Sequence, residues 1–116
     1  MVIIASFGAY QYNMNTAYTK TDLRLRHYMW NIDRREVSTA YDLDNDPLNT
    51  LEGYEVLIFA NTFLDLYLPD HNVLDLNGLE DVLANHLPSY LTTRRDIASW
   101  LGKNLYFIKY SSRRET

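Results

Sequence analysis

Cysteine is absent from the 116-residue chain. Without thiols the protein cannot contain disulfides, zinc ribbons, thiolate nucleophiles or iron–sulfur clusters. The sequence also lacks the Gly-x-Ser-x-Gly, Gly-x-Gly-x-x-Gly and phosphate-loop patterns, and its glycines are too scattered to cradle a phosphate: Gly8, Gly53, Gly78 and Gly102. We therefore predict no catalytic residues, no cofactor and no enzymatic activity.

Long apolar runs are also missing, and the chain has only 3 prolines and 4 glycines. No segment reaches the roughly 18 consecutive apolar residues of a membrane-spanning helix. The amino terminus, "MVIIASFGAYQYNMN", starts apolar without a basic stretch, which is typical of a buried strand and not of a secretory signal. With 47% hydrophobic and 22% charged residues, the composition predicts one globular domain over residues 1–116 in a soluble, cytoplasmic protein.

Basic residues are absent from the middle of the chain, since no lysine or arginine lies between Arg35 and Arg94. The same interval contains eleven carboxylates: Glu36, Asp42, Asp44, Asp46, Glu52, Glu55, Asp65, Asp70, Asp75, Glu80 and Asp81. From Arg94 to the carboxyl terminus the balance reverses, with six basic residues against two acidic ones. The net charge of −4 therefore conceals an acidic middle and a basic end.

Five segments have the composition of β-strands, being short, apolar and rich in β-branched or aromatic residues. They are residues 2–7, a hairpin formed by 21–30 and 35–43, a central strand at 54–60 and a final strand at 105–110. A helix over residues 21–32 is the alternative to the first arm of the hairpin. Residues 61–70 fit either a strand or a short helix, and Pro69 ends them in both cases.

Two helices are predicted late in the chain. Apolar residues recur at helical spacing over 79–87, and Pro88 stops the run. Thr93 and Asp96 then form a capping box, and Gly102 suits the left-handed position after a helix. The sequence therefore predicts an α+β fold, a mixed or antiparallel sheet of four or five strands with a carboxyl-terminal helical pair on one face. A small three-layer α/β fold is the alternative.

The acidic stretch 41–55, "YDLDNDPLNTLEGYE", begins like a calcium-binding loop. Asp42, Asp44 and Asp46 occupy alternate positions, as the first three ligands of such a loop do. The pattern then fails, because Pro47 stands where glycine makes the sharp turn and Gly53 stands where the last carboxylate ligand belongs. We predict no metal site and interpret the stretch as a solvated connection.

Histidine adds no clear catalytic pattern. His71 lies between Asp70 and Asp75, so an imidazole–carboxylate pair is conceivable there. A loop histidine beside an aspartate is nevertheless commonplace, and His86 falls on the apolar stripe of its predicted helix. We assign neither residue a chemical role.

One stretch, "TRRDIASWLGKN", resembles the first helix and turn of a helix-turn-helix DNA-binding module. The resemblance rests on the spacing of Ala98 and Gly102 and on the basic flanks. In that family a second helix enters the major groove. This sequence departs from the pattern, because 105–110 is predicted as a strand and Lys103 stands where a small apolar residue is usual.

Two functions are consistent with the charge pattern. The first is a non-enzymatic inhibitor or adaptor, such as a phage or mobile-element accessory protein, that binds a basic protein partner through an acidic face within residues 36–93. Its proposed contact residues are Asp42, Asp44, Asp46, Glu52, Glu55, Asp65 and Asp70.

The alternative is a nucleic-acid-binding or transcription-regulatory protein that uses the basic segment 94–114. Its contact residues would be Arg94, Arg95, Lys103, Lys109, Arg113 and Arg114. Self-association of the acidic and basic regions would also explain the charge pattern without an external partner.

Overall fold

The protein is built from helices. The computed structural model describes residues 17–30, 43 and 45–114. Within these ranges it has four α-helices, and no sheet is present there. The helices are α1 (Gly53–Tyr67), α2 (Val73–Asn85), α3 (Arg94–Lys103) and α4 (Leu105–Arg114), with a single 3₁₀ turn at Lys20–Asp22. The strand-like pairings in the described part are isolated bridges, Met29 with Glu52 and Pro47 with Thr93.

The predicted α+β fold is therefore wrong, and so is the three-layer α/β alternative. Residues 54–60, predicted as a central strand, lie inside α1. A continuous apolar run has no period that separates a buried strand from a buried helix. After Asn61 and Thr62 the apolar residues resume at Phe63 and Leu64, and a helix that is apolar on most sides is stable when its neighbours surround it. Residues 61–67, left open by the sequence, complete α1.

The predicted final strand at 105–110 is wrong as well, because these residues form most of α4. Ile108 is fully buried, whereas Tyr106 and Tyr110 are exposed on the same side of the helix. In a strand all three side chains would point to one face.

The predicted hairpin is not found in its described part. Residues 21 and 22 end the 3₁₀ turn, and residues 23–30 are neither a helix nor a paired strand beyond the bridge at Met29. The strand predicted at 2–7 and the second hairpin arm, except Leu43, lie outside the described residues.

The two predicted helices are found as α2 and α3, but α2 begins at Val73, six residues before the predicted run at 79–87, and ends at Asn85. Asn72 begins α2 with a capping box to Asp75, and the Thr93 side chain accepts a hydrogen bond from the Asp96 amide at the start of α3. Gly102 differs from expectation, because α3 continues through Lys103. The glycine lies against Tyr67, where an added Cβ atom would come within 2.6 Å of the ring.

A single core joins α1 to the other helices. Its fully buried members include Phe59 and Phe63 of α1, Leu76 and Leu79 of α2, and Ile108 of α4. Further buried residues come from α3 and from Leu23 of the amino-terminal segment. The side chains of α1 thus contact partners on several sides, which explains the near absence of polar residues in its first half.

Glu80 connects residues 23–28, which are neither helix nor strand, to the helices. Its side chain is 1% exposed, and each carboxylate oxygen accepts two hydrogen bonds. One oxygen accepts from the Arg24 amide at 2.8 Å and the Asn77 side chain at 3.1 Å. The other accepts from the Leu25 amide at 3.1 Å and the Tyr28 hydroxyl at 2.9 Å. A buried carboxylate is tolerated when such donors replace its water.

The Tyr28 hydroxyl is itself affected by this contact. Burial raises the pKa of Tyr28, and the negative charge of Glu80 raises it further. The phenol therefore stays protonated and donates to the carboxylate at neutral pH.

Replacing Glu80 with glutamine tests this arrangement. Glu80→Gln keeps the shape of the side chain but leaves one oxygen for four donors, so some donors lose their acceptor. We expect the free energy of unfolding, measured by urea denaturation, to fall by about 1–3 kcal/mol.

Asp70→Asn removes the same charge from an exposed carboxylate and is the matched control. It should change the free energy of unfolding by at most about 0.5 kcal/mol. Equal effects of the two variants would show that Glu80 does not hold residues 23–28 in place.

Candidate functional site

The carboxylates predicted to form an acidic face have different environments. Asp42 and Asp44 lie outside the described residues. Glu52 is buried at the start of α1, where its side chain accepts a hydrogen bond from the Tyr54 amide. Glu55, in the first turn of α1, accepts one from the Asn49 amide. Both carboxylates therefore stabilise the amino-terminal end of this helix.

The remaining three residues of the predicted face differ in exposure. The Asp46 side chain is 70% exposed and contacts the Arg94 guanidinium at 3.3 Å. Asp65 accepts a hydrogen bond from His71, and Asp70 is exposed on the connection between α1 and α2. Glu55 and Asp65 are ten residues apart, which corresponds to about 15 Å along α1. These two carboxylates of α1 are therefore about three helical turns apart.

The other described acidic residues of the middle segment also have contacts within the chain. Asp75 is buried, completes the cap of α2, and contacts Lys109 of α4 at 2.8 Å. Asp81 contacts His86 at 3.2 Å and accepts a hydrogen bond from Asn85. Much of the acidic charge therefore serves helix ends and tertiary contacts.

The basic residues predicted to bind nucleic acid divide in a similar way. Arg94 is buried and contacts Asp46, and its amide donates to the Asp46 carbonyl at 2.9 Å. Lys109 is about half exposed and contacts Asp75. Arg95 and Lys103 are exposed near opposite ends of α3. Arg113 and Arg114 belong to the last turn of α4.

Aromatic side chains belong to the same two helices as these basic residues. Tyr106 and Tyr110 of α4 are 63% and 56% exposed. Phe107 stacks on Trp100 of α3 with ring centroids 5.9 Å apart, and the Tyr106 ring centroid lies 4.4 Å from that of Phe107. The aromatic contacts thus link α3 to α4 and leave two tyrosine rings at the surface. We call Arg95, Lys103, Tyr106 and Tyr110 the α3–α4 surface.

A hydroxyl–imidazole–carboxylate array lies elsewhere in the molecule. The Tyr18 hydroxyl is 2.7 Å from Nδ1 of His71, and Nε2 of His71 is 2.8 Å from Asp65. Because the ionised carboxylate only accepts, Nε2 of His71 carries a proton and donates it to Asp65. The sequence suggested Asp70 or Asp75 as the partner of His71. Its actual partners, Tyr18 and Asp65, lie farther away in the chain and follow from no sequence pattern.

The pKa of Tyr18 argues against nucleophilic catalysis by this array. Burial raises the pKa of Tyr18 to about 12, with further contributions from the charges of Asp75, Asp22 and Asp65. An activated nucleophile requires the opposite shift. Tyr18 also exchanges two hydrogen bonds with Asn61, so the array joins the amino-terminal segment to α1.

No metal site or membrane helix is evident in the described ranges. Among those residues, no three histidine or acidic side chains are grouped so that they could hold a metal ion. None of the helices described is long and apolar enough to cross a membrane. Comparisons with protein-family models, curated proteins and solved structures found no match to the chain.

The role of Tyr18 predicts how stability depends on pH. The pKa of tyrosine is about 10 in an unfolded chain, and that of Tyr18 in the folded protein is about 12. Between these values ionisation favours unfolding, so the stabilisation by the hydroxyl is complete below pH 10 and is lost towards pH 12. We expect the difference in unfolding free energy between wild type and Tyr18→Phe to fall over this interval.

Tyr90→Phe removes a hydroxyl from a residue that is 77% exposed and is the control for this measurement. This variant should follow the wild-type curve at every pH. A wild-type advantage over Tyr18→Phe that stays constant from pH 9 to pH 12 would contradict the proposed environment of Tyr18.

Proposed function

We propose that the protein is a non-enzymatic nucleic-acid-binding protein and that the α3–α4 surface contacts the ligand. The observation that carries this proposal is the helical state of residues 105–114. The stretch that resembles the first half of a helix-turn-helix module is followed by a second helix, and this helix exposes two aromatic side chains beside basic residues.

The charge of the segment supports binding to a polyanion. Residues 94–114 contain six basic residues and one acidic residue, Asp96. The Asp96 carboxylate lies in the first turn of α3, where it suits the helix dipole. Lysine and arginine side chains that contact phosphates release condensed counterions, which gives binding energy despite a net negative charge on the whole protein.

The α3–α4 pair nevertheless departs from the helix-turn-helix module. One residue, Asn104, separates the two helices, whereas the module has a turn of three or four residues. The docking geometry of that family is therefore not transferred to this chain. The proposal rests on local charge and on exposed aromatic rings.

Binding of a basic protein partner, as an inhibitor or adaptor, is the second candidate. The 70% exposure of the Asp46 side chain, at the end of the acidic stretch 42–46, favours it. It ranks second because Glu52, Asp75 and Glu80 are buried and Asp65 contacts His71. These carboxylates have little surface to offer a partner.

Fluorescence anisotropy of a labelled oligonucleotide over a salt series tests the first candidate. We expect binding at low salt with an affinity that falls steeply as salt rises. The double variant Arg95→Gln, Lys103→Gln should bind more weakly and should flatten the logarithmic salt slope by about 0.7–0.9 for each phosphate that the variant no longer neutralises.

The matched control is Arg26→Gln with Lys20→Gln, which removes two exposed basic residues from the amino-terminal segment. It should retain the wild-type slope. Absence of binding to DNA and RNA at low salt would overturn the proposal. Equal effects of the two double variants would show that the α3–α4 surface is not the binding site.

A further inference from the structure

We infer that the α3–α4 surface takes single-stranded nucleic acid, with bases stacked on Tyr106 and Tyr110. This inference rests on the proposed function and specifies its ligand. The two tyrosines are four residues apart on α4 and are both exposed, while Ile108 between them is fully buried. Residues at this spacing lie on the same side of a helix with Cβ atoms about 5–6 Å apart.

The spacing of the tyrosines favours a single strand. Successive bases of one strand in a duplex are about 3.4 Å apart, and their faces are covered by the neighbouring bases. The Cβ atoms of the two tyrosines are about 5–6 Å apart, which is more than this base spacing. The pair therefore suits nucleotides whose bases are no longer stacked on one another. Single strands expose the base faces on which aromatic side chains stack.

The position of Tyr106 is supported by neighbouring rings. Its ring centroid lies 4.4 Å from that of Phe107, and Phe107 is stacked on Trp100 with an angle of 11° between the ring planes. Trp100 belongs to α3, so the contact joins two helices. An exposed ring that is held in this way loses less side-chain entropy when a base stacks on it.

Basic residues precede and follow the two tyrosines in the chain. Lys103 precedes Tyr106 by three residues and is exposed. Arg113 follows Tyr110 by three residues in the last turn of α4. Basic residues before and after an aromatic pair in the chain suit a ligand that combines phosphates with exposed base faces.

Reading of duplex DNA by α4 is less consistent with the side chains present. A recognition helix contacts base edges through its amino-terminal residues, and arginine, lysine, asparagine and glutamine are the usual donors and acceptors. The amino-terminal residues of α4 are Leu105, Tyr106 and Phe107. Leucine and phenylalanine offer no hydrogen bonds to base edges, whereas the tyrosine ring stacks on any base.

The test compares three labelled ligands of one sequence by fluorescence anisotropy: single-stranded DNA, single-stranded RNA and duplex DNA. We expect both single strands to bind more tightly than the duplex. The ratio of the two single-strand affinities shows whether DNA or RNA is the preferred ligand. Tyr106→Leu and Tyr110→Leu should each weaken single-strand binding on the order of 5- to 150-fold. Their salt slopes should stay at the wild-type value, because the phosphate contacts remain.

Two further variants distinguish stacking from other roles. Tyr106→Phe keeps the ring without the hydroxyl and should retain near wild-type affinity. Tyr90→Leu removes an exposed tyrosine from the connection between α2 and α3 and should bind like wild type. Circular dichroism should show the wild-type helix content for each variant, since the altered side chains lie at the surface.

Three outcomes separate this inference from the function on which it rests. If no nucleic acid binds at low salt, the proposed function and the inference both fail. If duplex DNA binds as tightly as the single strands, or if Tyr106→Leu binds like Tyr90→Leu while the salt slope stays steep, the inference alone fails. If Tyr106→Phe loses as much affinity as Tyr106→Leu, the hydroxyl contributes through a hydrogen bond, and the stacking inference fails.

Discussion

The buried carboxylate of Glu80 is the contact on which the arrangement of the described residues depends. Residues 23–28 form no helix and pair with no strand in the described part, so the amides of Arg24 and Leu25 need another acceptor. Glu80 supplies it from the middle of α2. Leu23, which precedes these two amides, is buried in the core. Trp30, at the end of the same segment, packs closely on Gly53, where an added Cβ atom would come within 2.5 Å of the ring.

This use of Glu80 also changes the meaning of the acidic middle segment. From the sequence alone, eleven carboxylates without a lysine or arginine among them suggest a negatively charged surface that binds a basic partner. In the described structure, Glu52 and Asp75 instead serve the amino-terminal ends of helices, where backbone amides and the helix dipole stabilise negative charge. Basic and aromatic side chains are exposed on α3 and α4, and these helices are therefore the proposed binding surface.

The sequence predicted those elements whose signals are local. The cap at Thr93 and the apolar period of α2 and α3 indicate a helix within a few residues. The cap of α2 at Asn72 is not among the predicted features, and the predicted run at 79–87 starts six residues after Val73. The run 54–60 carries no such signal, because burial on most sides of a helix and burial of both faces of a strand produce the same apolar composition. The contacts of Glu80 and of Tyr18 with His71 join residues more than fifty positions apart, and one sequence has no pattern from which they follow.

The central claim is that carboxylates of the acidic segment maintain the fold while α3 and α4 bind the ligand. Amide chemical-shift mapping during titration with a single-stranded oligonucleotide tests this claim most directly. The account predicts the largest shifts at residues 100–110, centred on Tyr106, with the amides of 45–55 and 65–70 unchanged. Shifts centred on Asp46 and Glu55, with α4 unaffected, would contradict it.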